Sequence, residues 1–318
     1  MAKTVVMVCG SAYSGSSLLS VLMDRIVGVV SVGEGARAYR PGNMTGPCAT
    51  CPTGEAADCE LYSGWKKSQY VHPGENQETF EEERYWLERR TINDEGLLRI
   101  GQSFYEYVDE SYPDDRFLVD STKDPTQMLE ELHKGKKYPC RSVFLSKTPI
   151  EAFNSYKRHP REMSPQDCVL EWLRVNWFYT GFLQLNSVDV HHVHYKDLCI
   201  STEETLGQIC SFLECTHSYR SEASKPHGHI LGGNPAVSSV VSGVDEICFK
   251  RTTRREHMGG KYADVDPTAD LKIAYDTSHR NLGYRFLADC QIELDKRSHQ
   301  VLPVLQILGY GPQEMRLD

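Results

Sequence analysis

The chain has 318 residues, 40% of them hydrophobic and 25% charged, and a formal net charge of −9. This balance is typical of a globular protein and disfavours a general nucleic-acid binder, which needs a basic surface. No apolar run has the length of a membrane-spanning helix, and the start of the chain lacks a signal-peptide pattern. We therefore expect a cytoplasmic protein with no nucleic-acid or membrane partner.

Residues 5–19 predict a buried parallel strand, a turn rich in glycine and serine, and the start of a helix. Such a turn binds anions, because the first N–H groups of the helix lack partners and the helix dipole is positive there. The spacing Gly10-x4-Gly15-Ser16-Ser17 resembles a P-loop, but Ser16 replaces its lysine. The loop therefore favours an anionic nucleotide other than a triphosphate. A plain turn of an α/β sheet is the alternative.

A second short strand, residues 29–32, ends in Gly33-Glu34-Gly35. A carboxylate that follows a parallel strand lies at the carboxyl edge of the sheet, where ligands of open α/β sheets bind. Glu34 is therefore a candidate general base, with a solvated turn residue as the alternative.

Residues 35–76 are rich in turn residues and predict an insertion after this strand. The insertion carries Cys48-x2-Cys51-x7-Cys59, which resembles half of a zinc site, and His72 could supply a fourth ligand. Because a second C-x2-C pair is missing, reduced thiols or one disulfide in an acceptor-binding flap are favoured over structural zinc.

The next two strands along the chain each end in a lysine at a capped helix start. Lys123 precedes the capping residue Asp124, and Lys147 begins the second of these turns. Both lysines are expected at the sheet edge that carries the glycine-serine loop, with no carboxylate beside them other than Asp124. This arrangement predicts a multiply anionic ligand, to which Ser155, two helical turns after Lys147, could add a hydroxyl donor.

The remaining segments carry less information. Residues 77–111 predict charged helices that Gly96 interrupts, and residues 165–185 predict a helix whose aromatic stripe belongs to the core. Residues 190–195 predict a strand whose three histidines are interpreted as strand residues rather than metal ligands. The last fifty residues are weakly patterned.

Taken in order, these stretches resemble the sulfotransferases that use 3′-phosphoadenosine-5′-phosphosulfate (PAPS), in particular the bacterial stand-alone type. The resemblance implies a P-loop-like α/β fold, with a central parallel sheet flanked by helices and a cysteine-containing insertion after the second strand. It implies a single domain over residues 1–318, with an insertion and acceptor-side region at 35–115 and a C-terminal cap at 237–318. The matching stretches are residues 11–19, 30–34, 119–123, 145–149 with Ser155, 194–198 and 229–235.

The resemblance also implies a role for each matching residue. Glu34 takes the proton of the acceptor and Lys123 stabilises charge on the leaving group. The loop holds the 5′-phosphosulfate, Lys147 and Ser155 hold the 3′-phosphate, and His229 with the turn after it closes over the nucleotide. The implied nucleotide-binding residues are Ala12, Tyr13, Ser14, Gly15, Ser16, Ser17, Lys147, Ser155, His229, Gly232, Gly233 and Asn234.

The implied reaction moves a sulfuryl group from PAPS to a hydroxyl or amine of an acceptor, which we expect to be a small molecule of secondary metabolism. No catalytic metal is expected, because the transfer needs positioned donors, a cation and a base. The alternatives are a P-loop-type small-molecule kinase, with Asp120 holding its metal, and a non-catalytic homologue. Tyr13 supports the latter, because many members have a basic residue there. The sequence leaves the acceptor and the oligomeric state open, a homodimer included.

Overall fold

The structure is a computed structural model. It describes residues 3–11, 14–37, 48, 50–51, 59–68, 70–71, 98–99, 103–132, 138–156, 163–220, 226–231 and 284–317.

A parallel sheet lies at the centre of the part of the chain that the structure describes. The strands are β1 (Thr4–Gly10), β2 (Val29–Ser31), β3 (Tyr70–Val71), β4 (Leu98–Arg99), β5 (Phe117–Lys123), β6 (Cys140–Ser146) and β7 (Asp189–His194). Five of them form the sheet in the order β2-β5-β1-β6-β7, and every neighbouring pair is parallel. The two short strands β3 and β4 pair with each other in antiparallel fashion.

Helices cover both faces of this sheet. They are α1 (Ser16–Asp24), α2 (Glu60–Ser68), α3 (Phe104–Ser111), α4 (Pro125–Leu132), α5 (Pro149–Tyr156), α6 (Pro165–Leu173), α7 (Tyr179–Leu185), α8 (Tyr195–Ile200), α9 (Thr202–Leu213), α10 (Tyr284–Lys296) and α11 (Ser298–Ile307). None of the helices in the described ranges is both long enough and apolar enough to cross a lipid bilayer.

The apolar run of β1 is continuous because both of its faces are buried. Val6 and Val8 pack with α1, α8 and α9 on one face of the sheet. Val5 and Met7 pack on the other face with the remaining helices, including α10 and α11 at the end of the chain. The predicted α/β class with a central parallel sheet flanked by helices is therefore confirmed.

Three local expectations need correction. Leu98 and Arg99 form a strand where helix was predicted. The helix predicted over 165–185 is interrupted by a π-helical turn at Arg174–Phe178. Its aromatic residues also differ in burial. Trp172 is fully buried, whereas Trp177 is 63% exposed, so the core interpretation holds only for the first of them. The weakly patterned end of the chain contains α10 and α11, whose exposed faces dilute the apolar period.

Candidate active site

Each strand of the parallel sheet delivers a polar group or an anion-binding turn at its carboxyl end. The glycine-serine loop follows β1, Glu34 follows β2, Lys123 ends β5, Lys147 follows β6 and Tyr195 follows β7. This edge is where open α/β sheets bind ligands. We therefore treat it as the candidate active site.

The turn after β1 requires glycine at two positions. Gly10 and Gly15 have φ values of +150° and +97°. A Cβ atom on Gly10 would lie 2.5 Å from the carbonyl oxygen of Leu145, and one on Gly15 would lie 2.6 Å from the ring of Tyr195. A side chain is therefore excluded at both positions, and only backbone atoms of these two glycines lie in the turn that leads into α1. The predicted contacts Ala12 and Tyr13 lie outside the described residues.

Two serine hydroxyls in this turn are buried without a hydrogen-bond partner among the described residues, namely those of Ser14 and Ser16. Their residues are 0% and 1% exposed. An unsatisfied buried hydroxyl costs about 1–3 kcal/mol, so such groups are normally paired. An anionic group with several acceptor oxygens would satisfy both hydroxyls at the positive end of α1, and the donors present therefore fit a phosphate or sulfuryl group.

Glu34 and Lys123 form an ion pair between the ends of β2 and β5. Their side chains are only 9% and 15% exposed. Lys123 lies beside Cys9 of β1 and has a φ of +76°, in the left-handed region that non-glycine residues rarely adopt. The sequence predicted no carboxylate beside this lysine other than Asp124. That expectation was wrong, because adjacent parallel strands bring Glu34 to the same edge, while Asp124 caps α4 through the N–H of Thr126 at 3.0 Å.

The turn that follows Glu34 is held by the buried carboxylate of Asp120. Asp120 accepts hydrogen bonds from the N–H of Ala36 at 2.7 Å, from the N–H of Thr122 at 2.8 Å and from the hydroxyl of Tyr105 at 2.9 Å. Burial raises the pKa of Asp120 to about 6. Three donors surround this carboxylate, so it positions the turn beside Glu34.

Lys147, Ser155 and Tyr195 form a second cationic group at the same edge. The ammonium of Lys147 donates to the hydroxyl of Ser155 at 2.9 Å and lies 4.1 Å from the centroid of the Tyr195 ring. Lys147 is 3% exposed. The structure therefore brings together the two residues expected at the 3′-phosphate. Tyr195 was missed as a site residue, although its position directly after β7 could have indicated it.

Residues 226–231 anchor Glu34 from a distant part of the chain. The N–H of Glu34 donates to the carbonyl of Leu231 at 2.7 Å, and the N–H of Leu231 donates to the carbonyl of Val32 at 3.1 Å. The N–H groups of His227 and Gly228 donate to the buried carboxylate of Asp24 at 2.6 and 3.0 Å. This segment therefore pairs with the chain directly after β2 and holds the backbone of the candidate base Glu34.

His229 in this segment has neighbours other than those expected. Its Nδ1 atom lies 3.8 Å from the sulfur of Cys48 and 3.3 Å from the sulfurs of Cys51 and Cys59. The expected contact of His229 with a nucleotide therefore stays a prediction. Gly232, Gly233, Asn234 and His72 lie outside the described residues.

The likenesses found among known proteins are to solved structures. No family model and no curated protein matches the chain. The structure is similar to the "Sulfotransferase Domain from the Curacin Biosynthetic Pathway", with a TM-score of 0.47 and 14% identity over 94% of this chain and 98% of that one. It is also similar to the "Sulfotransferase Domain from the Synechococcus PCC 7002 Olefin Synthase", with a TM-score of 0.44 and 15% identity over 93% and 95% of the two chains. Both of those proteins are named as sulfotransferase domains.

Proposed function

We propose that the chain is a sulfotransferase that moves a sulfuryl group from PAPS to a hydroxyl or amine of a small-molecule acceptor. The observation that carries the proposal is the ion pair of Glu34 and Lys123 beside a lysine-free anion loop. A base and a cation in contact suit a reaction that removes a proton from one group while charge develops on another.

PAPS supplies an activated sulfuryl group whose bridging oxygen leaves with the 5′-phosphate. Glu34 accepts the proton of the acceptor as the acceptor atom bonds to sulfur and the sulfur–oxygen bond to the phosphate breaks. Lys123 stabilises the charge on the departing oxygen. Protonation of Glu34 removes the counter-charge of Lys123, so the ammonium then acts on the leaving group alone.

The anionic ends of the nucleotide are held by the other groups of the edge. The N-terminus of α1 and the hydroxyls of Ser14 and Ser16 bind the 5′-phosphosulfate, because they offer donors in a buried turn. Lys147 and Ser155 bind the 3′-phosphate, with the Tyr195 ring fixing the ammonium from one side. The acceptor is a small molecule of secondary metabolism, and the net charge of −9 disfavours a polyanionic glycan.

Two other functions are less well supported. A small-molecule kinase needs a carboxylate free to hold Mg²⁺, but Asp120 already accepts from Ala36, Thr122 and Tyr105. A non-catalytic nucleotide-binding protein has no need of Glu34 and Lys123 as a buried pair. Turnover separates this last possibility from an enzyme.

The test combines calorimetric titration with 3′,5′-adenosine bisphosphate and ATP with transfer of labelled sulfate from PAPS to an acceptor panel. We expect the bisphosphate to bind and ATP not to bind. Glu34→Gln and Lys123→Met should each lower kcat by about 10²–10⁴-fold, the usual contribution of a general base or a charge-stabilising group. Both should keep the bisphosphate affinity, as should the exposed control Lys196→Met.

Preference for ATP would instead favour the kinase. Equal loss of bisphosphate binding in Glu34→Gln, Lys123→Met and Lys147→Met would refute the separate roles given to these residues.

A further inference from the structure

Three cysteines and one histidine meet beside the candidate active site. One ligand atom from each of Cys48, Cys51, Cys59 and His229 lies within 4.8 Å of every other. The three cysteines are free thiols and are 1%, 8% and 0% exposed. We propose that these four residues bind a structural zinc ion.

The spacing of the four atoms matches a tetrahedral metal site. Zinc binds sulfur at about 2.3 Å and nitrogen at about 2.0 Å, so the corners of the tetrahedron are about 3.5 Å apart from sulfur to nitrogen. The observed distances from the Nδ1 atom of His229 to the three sulfurs are 3.8, 3.3 and 3.3 Å. Their spread brackets the value that a central ion requires.

Hydrogen bonding alone does not explain this arrangement. A histidine ring nitrogen carries either one hydrogen or one lone pair, so Nδ1 cannot make three hydrogen bonds at once. A metal ion at the centre of the cluster contacts all four atoms simultaneously. Free thiols packed around a single ring nitrogen therefore favour a bound cation over a thiol–imidazole network.

Peptide N–H groups also point at the sulfur atoms. Those of Thr50 and Cys51 donate to the sulfur of Cys48, that of Glu60 donates to Cys51, and that of Tyr62 donates to Cys59. Donors around each sulfur suit thiolates, whose negative charge a neutral thiol lacks, and they orient the ligands as outer-shell groups do at metal centres. A set of three sulfurs and one nitrogen selects zinc among the common divalent ions.

The site is closed and therefore structural. Four protein ligands fill the tetrahedron and leave no position for water or substrate. Cys48 forms an antiparallel bridge with Leu231, and the hydroxyl of Thr50 donates to the carbonyl of Gly228 at 2.6 Å. The metal thus fastens the insertion, including the start of α2, to the segment that anchors Glu34.

Metal analysis of the full chain, purified under reducing conditions without chelators, tests the proposal. We expect about one zinc ion per chain by mass spectrometry of the metal content, since a closed four-ligand site holds one ion. Protein grown with cobalt in place of zinc should show the thiolate-to-cobalt charge-transfer band and the intense visible bands of tetrahedral coordination. Absence of zinc from the wild type, together with no such cobalt spectrum, would overturn the proposal.

Matched variants locate the ligands. His229→Ala and Cys51→Ser should lower the zinc content at least about tenfold, because each leaves an open or weakened tetrahedron. His229→Cys should keep the metal in a four-sulfur site. His227→Ala alters the neighbouring histidine, which contacts Asp115 at 2.7 Å instead, and should leave the zinc content unchanged. An unchanged zinc content in His229→Ala would contradict the assignment. The cobalt spectrum of the wild type decides the matter if a variant fails to fold, and neither measurement depends on sulfuryl transfer.

Discussion

Replacing Lys147 by methionine should weaken nucleotide binding without destabilising the fold. The substitution keeps the length of the side chain and removes an ammonium that is 3% exposed and donates to Ser155 at 2.9 Å. A charge-assisted hydrogen bond in such a site contributes about 1.5–3 kcal/mol to binding. At about 1.4 kcal/mol per factor of ten, affinity for 3′,5′-adenosine bisphosphate should fall about 10- to 150-fold.

Stability should change far less than affinity does. A buried ammonium has lost the water that solvated it, and burial of a charge is costly even where partners are present. The carboxylate of Glu151, which attracts this ammonium, offsets part of that cost, so Lys147→Met should leave the midpoint of thermal unfolding nearly unchanged. If Lys147 instead served mainly to stabilise the fold, its replacement would lower both the midpoint and the affinity.

Calorimetry with the bisphosphate and thermal unfolding on the same samples measure both effects. Lys196→Met is the matched control, because Lys196 is exposed on α8, next to Tyr195 in sequence. The reasoning is refuted if Lys147→Met weakens binding by less than about threefold, or by no more than Lys196→Met does, since a single charge-assisted contact accounts for at least about tenfold.

Two further predictions concern the residues around Glu34. Lys123→Gly and Lys123→Ala should both lower kcat by about 10²–10⁴-fold, as Lys123→Met does. The glycine variant should nevertheless be more stable to urea by about 1 kcal/mol, because alanine in the left-handed region costs about 1–2 kcal/mol; equal stability would show that φ of +76° is unstrained. For Asp120, burial raises the pKa from 3.8 to about 6, so the native state binds the proton more tightly than the unfolded state and stability is lost as the pH rises between these values. The free energy of unfolding of the wild type, relative to Asp120→Asn, should fall by about 2 kcal/mol between pH 4 and pH 7 in urea titrations, and a difference independent of pH would contradict the shift.

The local parts of the site were predictable from the sequence. Gly10, Gly15, Lys123 and Lys147 stand in short patterns of strand, turn and capped helix, and parallel strands place all such turns at one edge. Glu34 followed from the same argument. Pattern and topology therefore sufficed to assemble most of the edge.

Contacts between distant parts of the chain were not predictable. The pairing of Glu34 with Lys123 depends on β2 lying next to β5, which periodicity does not specify. Cys48 is separated from His229 by 181 positions. No local sequence pattern therefore linked this histidine to the three cysteines. Helices α10 and α11 escaped notice because partly exposed helices such as α10, where Ile292 is 51% exposed, blur the apolar period.

The anchoring of Glu34 by residues 226–231 also fixes the order in which the site can form. The bond from Gly228 to Asp24 spans 204 positions of the chain. A chain emerging from the ribosome contains the sheet, the anion loop and both lysines before it contains this anchor. Closing so large a loop is slow compared with local pairing. The geometry of the candidate base is therefore completed only after residues 226–231 have been synthesised, later than the strands that carry Glu34 and Lys123.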